Sequence, residues 1–527
     1  IILIKKRLIL KMNGGSMAIS VYSCGYLGIE SYIVEIETDI SNGLPVFNIV
    51  GMGDLAILES KERIRSCFKN IGLEFPIKRV LVNLSPADVK KKGSSFDLGI
   101  FLGILANIGK IRNVDNFKNY LILGEISLNG EIKSVKGAIN ATILAKEKEI
   151  RGIIIPYENY DEACLISGVE IVPVSRIEEA VSFLNRKIGI DELYKNMKEK
   201  MTLKNKEKSK NNREEKNEID FSDVKGQLLA KRAMEIAAAG GHNIFLMGDP
   251  GSGKSMLAKR FVTILPEMSE KEIIETTKIY SISGMLSPDK PVITERPFRA
   301  PHHSATQTAL VGGAIRAGEI TLALNGVFFM DELGEFGTRT LETLRQPLED
   351  GNVTISRANL IVNYPVNNIM IAASNPTPGG FFQDDPQCKD SLRDIKNYQK
   401  KFSGPLLDRI DLYVEMRRLK KEEIFSETES ESSEIIRKRV IKAREIQRKR
   451  FNEDFLNGKM NRKQISEYCK IDEEAKKILE RAIDELKLSV RAYDKILKVS
   501  RTIADLENSE NIEVVHLLEA LNYRKKY

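Results

Sequence analysis

The residues with the clearest chemistry occupy positions 248–255, whose sequence is Gly-Asp-Pro-Gly-Ser-Gly-Lys-Ser. This G-x-x-x-x-G-K-[ST] pattern is typical of a phosphate-binding loop, in which glycines let successive backbone N–H groups face one anion. Lys254 can reach the β and γ phosphates, and Ser255 can hold Mg²⁺. The pattern therefore predicts a site for ATP and Mg²⁺. Its predicted nucleotide ligands are Gly248, Asp249, Pro250, Gly251, Ser252, Gly253, Lys254 and Ser255.

The loop also has the flanking elements that this motif requires. Residues 243–247 are apolar and strand-like, and residues 256–265 have the spacing of a helix. The N-terminus of that helix would add the positive end of its dipole to the anion site. A chance glycine-rich turn is the alternative interpretation, and the strand and helix on either side weigh against it.

Two further apolar strands end in residues that could complete a hydrolytic site. Residues 327–330 lead into Asp331 and Glu332, which is the pattern of a Walker B element. Asp331 would bind the magnesium ion, and Glu332 would orient and deprotonate the attacking water. Residues 368–374 lead into Asn375, whose uncharged amide could position the same water. A strand that merely leaves the core for solvent is the alternative, but three such strand ends together indicate one site.

Size and composition narrow the class of protein. A chain of 527 residues exceeds what one hydrophobic core usually serves, so two or three domains are expected. The composition is that of a soluble globular protein, and no apolar run is long enough to cross a bilayer, so we expect no membrane partner. The five cysteines form no C-x-x-C pair, which argues against a disulfide framework or zinc ribbon and is typical of a cytoplasmic protein. The net charge of +7 permits nucleic-acid binding without requiring it.

Periodicity and charge divide the chain into four parts. We expect an α+β domain over residues 17–190, a charged flexible linker over 191–219, a P-loop core over 220–419 and a helical lid over 420–527. The linker has few apolar anchors and cannot bury enough surface to offset its ordering entropy.

The first residues have a separate interpretation. Residues 13–16, Asn-Gly-Gly-Ser, are what a translated ribosome-binding site immediately before Met17 would encode. We therefore expect translation to begin at Met17 and residues 1–16 to be a mis-annotated extension. A mass measurement on the N-terminus of the native protein would test this.

Five longer motifs resemble the magnesium-chelatase-like AAA+ ATPases, and within that group the ComM/YifB family. They occupy residues 221–227, 237–243, 296–304, 348–357 and 489–497. The resemblance implies an α/β AAA+ P-loop core with a helical lid, preceded by an α+β Lon-protease-like domain of the ribosomal S5 domain 2 type. It also implies a homo-oligomer, a hexameric ring with ATP sites between subunits. For ComM proteins it implies a DNA branch-migration helicase that acts with recombination proteins during natural transformation.

The resemblance assigns roles to three residues. Asn375 matches the sensor 1 position, and Arg491 matches the sensor 2 arginine of the lid. Arg409 matches the arginine finger, which would stabilise transition-state charge in the neighbouring subunit's site, an effect of about 10³ to 10⁵ in rate for GTPases. The alternative for both arginines is a surface ion pair, with Asp408 or Asp411 in the case of Arg409.

A β-hairpin pattern over residues 351–365 resembles a pore element of this group, with the insertion at 295–318 beside it. Arginines there could grip phosphates, which holds a nucleic-acid strand without reading its sequence. The candidates are Arg296, Arg299, Arg316 and Arg357. Ion pairing between subunits is the alternative for all four.

The chain departs from its relatives in two places. Members of the family often carry a cysteine-rich stretch after sensor 1, whereas here Cys388 stands alone, which argues against a metal or thiol role. In the Lon-like domain, Ser95 lies near the position of the Lon nucleophile, but Ile139 occupies the position of its general-base lysine. Without that amine the serine has no evident activation, so we expect no peptidase activity.

Two rival interpretations remain open. One is a chelatase-type motor that inserts a metal into a tetrapyrrole, although such motor subunits do not typically carry a Lon-like domain. The other is an ATP-switched scaffold or remodelling chaperone that does not act on DNA. Glu332 and Arg409 weigh against a pure switch, because both serve hydrolysis.

Overall fold

The computed structural model describes residues 18–208, 219–313, 316–357, 360–401, 406–419, 430–486 and 488–524. The chain forms two compact units. The N-terminal unit comprises residues up to Glu215 together with Ile273–Ile293, and the C-terminal unit comprises Lys216–Glu272 and Thr294–Tyr527. Residues 1–17 lie outside the described residues, so the start at Met17 stays a prediction.

The N-terminal unit is built on a mixed sheet. Its strands are β1 (Ile19–Leu27), β2 (Glu30–Ser41), β3 (Val46–Val50), β4 (Arg79–Ser85), β5 (Tyr120–Ile122), β6 (Glu125–Ile126), β7 (Ile132–Lys133), β8 (Gly152–Pro156) and β9 (Glu170–Val174). Seven of them form a sheet in the order β3-β4-β2-β1-β5-β8-β9, and β6 pairs with β7. Strand β2 pairs antiparallel with both β1 and β4, whereas the other neighbouring strands, including β3 with β4, pair parallel, so this unit has a mixed sheet within an α/β fold.

Helices cover this sheet. They are α1 (Leu55–Asn70), α2 (Asp97–Asn107), α3 (Ala138–Glu147), α4 (Tyr160–Ala163), α5 (Ile177–Leu184) and α6 (Ile190–Lys208). Val34 and Ile36 of β2 are fully buried, and they alternate with partly exposed glutamates. This alternation gives the strand one apolar face, against which α2 packs.

Helix α6 corrects the predicted linker. Its side chains Leu193 and Met197 are buried, and the helix packs against β9. Two apolar side chains one helical turn apart are enough to fix the start of this charged segment to the unit. The linker prediction is therefore wrong for residues 191–208. Residues 209–218 lie outside the described residues.

The C-terminal unit contains a parallel sheet. Its strands are β10 (Ile244–Gly248), β11 (Phe298–Arg299), β12 (Val327–Met330), β13 (Asn352–Arg357), β14 (Leu360–Pro365), β15 (Ile369–Ser374) and β16 (Leu412–Met416). The parallel strands follow the order β11-β12-β15-β10-β16. Every residue of β10, β12 and β15 is buried, as expected for strands that have helices on both faces.

The remaining helices follow residue 227, and several of them share one core with this sheet. They are α7 (Leu228–Gly240), α8 (Lys254–Arg260), α9 (Glu270–Ser283), α10 (Gln307–Val311), α11 (Glu319–Leu322), α12 (Thr338–Thr343), α13 (Arg345–Asp350), α14 (Leu392–Lys401), α15 (Ser433–Phe451), α16 (Arg462–Tyr468), α17 (Glu473–Leu486), α18 (Val490–Leu506) and α19 (Val514–Asn522). Ala233, Val414, Val440 and Ile503 belong to the same buried cluster. The last helices therefore pack directly on the sheet domain, and the predicted boundary at 419/420 stays a prediction.

The predicted hairpin is confirmed. Strands β13 and β14 pair antiparallel from Asn352↔Pro365 to Arg357↔Leu360. The hydroxyl of Tyr364 donates a hydrogen bond to the carbonyl of Gly313, at 3.1 Å, so the 295–318 insertion does lie beside the hairpin.

All five cysteines lie in the described residues and are free thiols. Burial raises the pKa of Cys24 and of Cys469 to about 12, which makes these two thiols unreactive. Among the helices that the structure describes, none combines the length and the apolar character required of a membrane span.

Candidate nucleotide-binding site

The predicted strand ends meet at one edge of the parallel sheet. Strand β15 lies between β10 and β12, with Met247 opposite Ser374 and Met330 opposite Ala372. Parallel strands present their carboxyl ends at the same edge, so the phosphate loop, Asp331 and Asn375 come together there. This edge is where open α/β sheets usually bind ligands.

The loop has the shape that a phosphate needs. Gly251 and Gly253 have φ of 77° and 94°, values that glycine adopts without strain. A Cβ built on either one would meet no atom within 4 Å, so both glycines face open space. Gly248 is held differently, because a Cβ there would lie 2.3 Å from the carbonyl oxygen of Met416. The loop therefore fits a phosphate group on its open side and packs tightly on the sheet behind.

Lys254 begins α8 and is turned back into the loop. Its Nζ donates to the carbonyls of Gly248 and Asp249, at 2.6 and 2.9 Å, and to Oδ1 of Asn375, at 3.2 Å. Burial lowers the pKa of Lys254, while Asp331 and the other nearby carboxylates oppose that shift. The ammonium group is thus held by neutral oxygens that phosphate oxygens can replace.

Ser255 and Asp331 form the predicted metal pair. The Ser255 hydroxyl donates to Oδ2 of Asp331 at 2.6 Å. Mg²⁺ usually takes one or two protein oxygens and completes its shell with substrate phosphates and water, which this donor set fits. Within the described ranges, no cluster of three or more histidine, cysteine or acidic residues could hold a metal by itself.

Glu332 stands beside this pair in an unusual conformation. Its φ is 51°, in the left-handed region that costs a non-glycine residue of order 1–3 kcal/mol. Its side chain is 61% exposed, and Oε2 lies 3.3 Å from Nδ1 of His303. The carboxylate is therefore reachable by water and lies beside an imidazole. No local pattern pointed to this contact, because His303 lies 29 residues earlier in the chain.

Gln227 is a second residue of the site to which the sequence motifs assigned no role. Its Nε2 donates to the carbonyls of Ser252 and Arg417, at 3.2 and 2.8 Å. It thereby ties the phosphate loop to the strand end after β16. Gln227 directly precedes α7 and has a left-handed backbone conformation, with φ of 53°. A signal was available, because Gln227 closes the motif at residues 221–227.

Arg409 lies at the opposite edge of the sheet. Its carbonyl accepts from Nδ2 of Asn243, the residue before β10, at 3.1 Å. The phosphate loop follows the other end of β10, and five strand residues separate these ends by about 13 Å at roughly 3.3 Å per residue. The structure therefore does not bring Arg409 to its own phosphate loop.

Arg491, near the start of α18, lies with Arg409. Both line a cleft of about 500 Å³ that also contains Lys495 and Lys498. Both guanidinium groups contact the carboxylate of Glu349. Nη2 of Arg491 lies 3.2 Å from Oε1 of Glu349, and Nη2 of Arg409 contacts Oε2. The two predicted arginines thus share one cleft, remote from Lys254.

Two of the four arginines proposed to contact nucleic acid are engaged within the protomer. Arg296 has a side chain only 7% exposed, forms a bidentate pair with Glu272, and donates to the carbonyls of Pro266, Glu267 and Asn325. The prediction that Arg296 contacts a nucleic-acid phosphate is therefore corrected. Its Nε, Nη1 and Nη2 all donate hydrogen bonds within the protomer, and the buried side chain has no N–H group left for a phosphate. Arg299 is bound bidentately by Glu319, at 2.6 and 2.8 Å, which argues against the same role.

The other two arginines stay candidates. Arg316 is exposed, and its carbonyl accepts a hydrogen bond from the amide of Gly313. Arg357 is the last residue of β13, at the tip of the hairpin. Arg316 therefore lies in the insertion and Arg357 in the hairpin, the two segments that the hydrogen bond of Tyr364 joins.

Comparison with known families covers most of the chain. The family described as "Magnesium chelatase, subunit ChlI" matches residues 220–424, its C-terminal counterpart matches 430–524, and "Subunit ChlI of Mg-chelatase" matches 36–159. The phosphate loop, Asp331 and Arg409 lie within the first of these matches, and Arg491 lies within the second. The parallel sheet with its phosphate loop is consistent with the AAA+ type of this family.

Individual relatives match over nearly the full length. The chain is 41% identical to the "Competence protein ComM" of Haemophilus influenzae over 515 residues, which is 97% of each chain. It is 38% identical over 508 residues to YifB of Escherichia coli, 96% of each chain. A distant match, 26% over 178 residues, covers 33% of this chain and 22% of the Arabidopsis thaliana protein named "Probable DNA helicase MCM9". This chain therefore belongs to the ComM/YifB family of magnesium-chelatase-like AAA+ ATPases.

Proposed function

We propose that this protein is an ATP-hydrolysing ring motor of the ComM type that moves on DNA, a branch-migration helicase of homologous recombination during natural transformation. One observation carries the motor part. Arg409 and Arg491 lie across the sheet from Lys254, so the two halves of the proposed site can only be joined by a neighbouring protomer. A homo-hexamer would pair every phosphate loop with a neighbour's arginines.

The proposed hydrolytic chemistry divides among five residues on one side of this interface. Lys254 binds the β and γ phosphates, and Ser255 with Asp331 would hold Mg²⁺, which when bound neutralises charge on the phosphate oxygens. Glu332 takes a proton from the attacking water, and Asn375 orients that water. The exposure of Glu332 and the 3.2 Å contact between Asn375 and Lys254 support these roles.

The neighbour supplies the remaining charge. Arg409 acts as the arginine finger on the γ-phosphate of the adjacent protomer, and Arg491 assists as sensor 2. Burial, and then the positive charges of Arg491 and Arg345, lower the pKa of Arg409, yet an arginine stays protonated in proteins. A cluster of like charges around the finger favours binding of an anion such as phosphate.

DNA as the track is supported by similarity and by position. The relatives include a competence protein and a protein named as a DNA helicase, and we extend DNA binding to this chain. Arg316 and Arg357 belong to the insertion and hairpin that would line a pore, where phosphate contacts hold a strand.

The N-terminal unit is proposed to be a Lon-like docking or assembly module without peptidase activity. Ile139, at the position matched to the Lon lysine, is fully buried in α3. An aliphatic side chain there cannot activate Ser95. Incubating the protein with unfolded casein should release no peptides, and cleavage that disappears in Ser95→Ala would contradict this assignment.

The central test measures ATP hydrolysis with and without four-way DNA, together with displacement of a labelled strand. We expect DNA to stimulate hydrolysis, and Glu332→Gln to lose both activities, by about 10² to 10⁴ in rate, while ATP still binds. Glu335→Gln is the matched control, because Glu335 is an exposed carboxylate on the turn that follows Glu332.

Hydrolysis that is indifferent to every DNA substrate would favour the two rivals, a chelatase-type motor or a remodelling chaperone. Displacement that survives in Glu332→Gln would contradict the assignment of the general base.

A further inference from the structure

A single carboxylate occupies the space between the two arginines that are proposed to act on the neighbouring nucleotide. Glu349 offers Oε2 to Arg409 and Oε1 to Arg491, so one side chain bridges both guanidinium groups. Its own side chain is 46% exposed, whereas that of Arg409 is only 7% exposed. The buried finger is therefore covered from the open side of the cleft by an anion that solvent, or another anion, can reach.

The chemistry of this contact resembles the chemistry of phosphate binding. A carboxylate and a phosphoryl group both present two or more anionic oxygens to a guanidinium fork. Arg345 lies close enough to act on Arg409, and Lys495 and Lys498 line the same cleft. Four aspartates line it too, and one of them, Asp411, pairs with Lys495 at 3.5 Å; they are Asp350, Asp408, Asp411 and Asp494. A multiply charged phosphate would interact with the two guanidinium groups that Glu349 bridges more strongly than one carboxylate does, because attraction grows with charge at equal distance.

Glu349 also has a direct connection to the hairpin. It is the penultimate residue of α13, and Gly351, with φ of 69°, follows the helix as its left-handed cap. Strand β13 begins at the next residue, Asn352. Because only one residue separates the helix from the strand, a shift of Glu349 would change the position from which the hairpin starts.

We propose that Glu349 occupies the place that the γ-phosphate of the neighbouring protomer's ATP takes when it binds Arg409 and Arg491. When that ATP binds, its γ-phosphate displaces Glu349 from the two arginines, and the movement of Glu349 signals nucleotide occupancy to the β13–β14 hairpin. This proposal deepens the proposed function and depends on the site between protomers. Glu349 acts as a positioning residue, because it holds the arginines and touches no reacting atom.

The test compares wild type with Glu349→Gln, which keeps the side-chain shape and removes the charge. Without its internal competitor, the variant should hydrolyse ATP several-fold faster in the absence of DNA, and should need less ATP for half-maximal rate. The ratio of DNA-stimulated to basal rate should fall towards one. Asp350→Asn is the matched control, since it removes the adjacent exposed charge of the same cleft without touching either arginine, and it should keep the wild-type ratio.

Several outcomes would overturn the proposal. A Glu349→Gln variant with wild-type basal rate and wild-type DNA ratio, or one with a lower basal rate at an unchanged melting temperature, contradicts displacement. Glu349→Ala is a second variant for the same comparison if the glutamine variant unfolds early. Failure of the underlying function would look different: Arg409→Ala would then hydrolyse ATP like wild type, whatever Glu349 does.

Discussion

Asp331 and Glu332 are neighbours in the chain, yet their surroundings separate them into two roles. Asp331 receives the hydroxyl of Ser255, while the left-handed backbone of Glu332 turns its carboxylate outward, where it meets His303. A residue held at positive φ costs free energy, so its persistence beside the phosphate loop suggests a functional constraint. The division fits the roles proposed above, in which Asp331 binds the metal and Glu332 takes the proton.

Complementation between variants tests the shared site. Arg409→Ala and Glu332→Gln should each lose hydrolysis, by about 10³ or more for the arginine finger, because each removes one half of every interface. Mixing the two proteins should restore part of the activity, since some interfaces then combine an intact Glu332 with an intact Arg409. The measurement is ATPase rate against mixing ratio, and a rate that stays at the background at every ratio would rule out a site shared between protomers.

Arg296 has a structural role that a stability measurement can distinguish from DNA binding. Arg296→Ala removes a buried guanidinium and leaves the mostly buried Glu272 without its partner, so the free energy of unfolding should fall by about 3–5 kcal/mol. Arg299→Ala, whose pair with Glu319 is a quarter exposed, should lose only about 1–2 kcal/mol. Denaturant titration of both variants gives the comparison, and equal losses would contradict it.

Among the elements, the parallel sheet explains the separation of functions best. One edge carries the phosphate loop, Asp331 and Asn375, and the other edge carries Arg409 close to Asn243. Strand β10 connects these edges directly. One protomer therefore carries the phosphate loop on one surface and the arginines on a different surface. A closed ring of identical subunits is built from such head-to-tail contacts between two different surfaces.

Helix α4 introduces a pH dependence into the N-terminal unit. Burial raises the pKa of Glu162 to about 7, against hydrogen bonds such as that from Asn159. Because the folded pKa exceeds the ordinary value of 4.5, stability is greatest below about pH 4.5 and falls as pH rises to about 7. Glu162→Gln should remove this slope and be more stable than wild type by about 3 kcal/mol at pH 8.

Chemical denaturation at pH 5 and pH 8 measures the effect. Asp161→Asn is the control, because Asp161 precedes Glu162 on the same helix and is exposed. A difference between Glu162→Gln and wild type that is the same at both pH values would contradict the assignment.

The insertion and the hairpin together carry the remaining nucleic-acid candidates. If Arg316 and Arg357 each neutralise a phosphate, replacing both with alanine should weaken DNA binding. The slope of log affinity against log salt concentration should become smaller in magnitude, by about 0.9 for each duplex phosphate that is no longer neutralised. Basal hydrolysis should be unchanged. A titration of labelled DNA at several salt concentrations gives the slope, and a slope equal to that of wild type would exclude both arginines.

For the whole molecule, assembly should depend on nucleotide. The γ-phosphate bound by Lys254 would be the ligand that draws in the neighbour's Arg409 and Arg491, so ATP should stabilise the ring by mass action. Native mass spectrometry should show hexamers with ATP and Mg²⁺, and fewer of them for Lys254→Ala. Lys259→Ala, an exposed lysine of the same helix, should assemble like wild type. Assembly that ignores both ATP and Lys254 would contradict the prediction.

Features that depend on short stretches of chain could be predicted from the order of residues. The phosphate loop, the carboxylates after β12 and the hairpin over residues 351–365 each follow from a local pattern, and the structure has all three. Even the meeting of three strand ends was predictable, because parallel strands expose their carboxyl ends at one edge. The same local logic failed at residues 191–208, where two buried side chains outweigh the charged composition.

Which charged groups meet could be learned only from the way the chain packs. Glu349 lies 60 residues from Arg409 and 142 from Arg491, and nothing in the local pattern links them. Arg296 was a candidate for DNA because it lies in the same insertion as Arg299 and Arg316, yet its guanidinium is enclosed by Glu272 and three carbonyls. The packing of helices and loops decides which charged side chains meet. That packing depends on contacts between distant parts of the chain, so the residue spacing within one segment does not predict it.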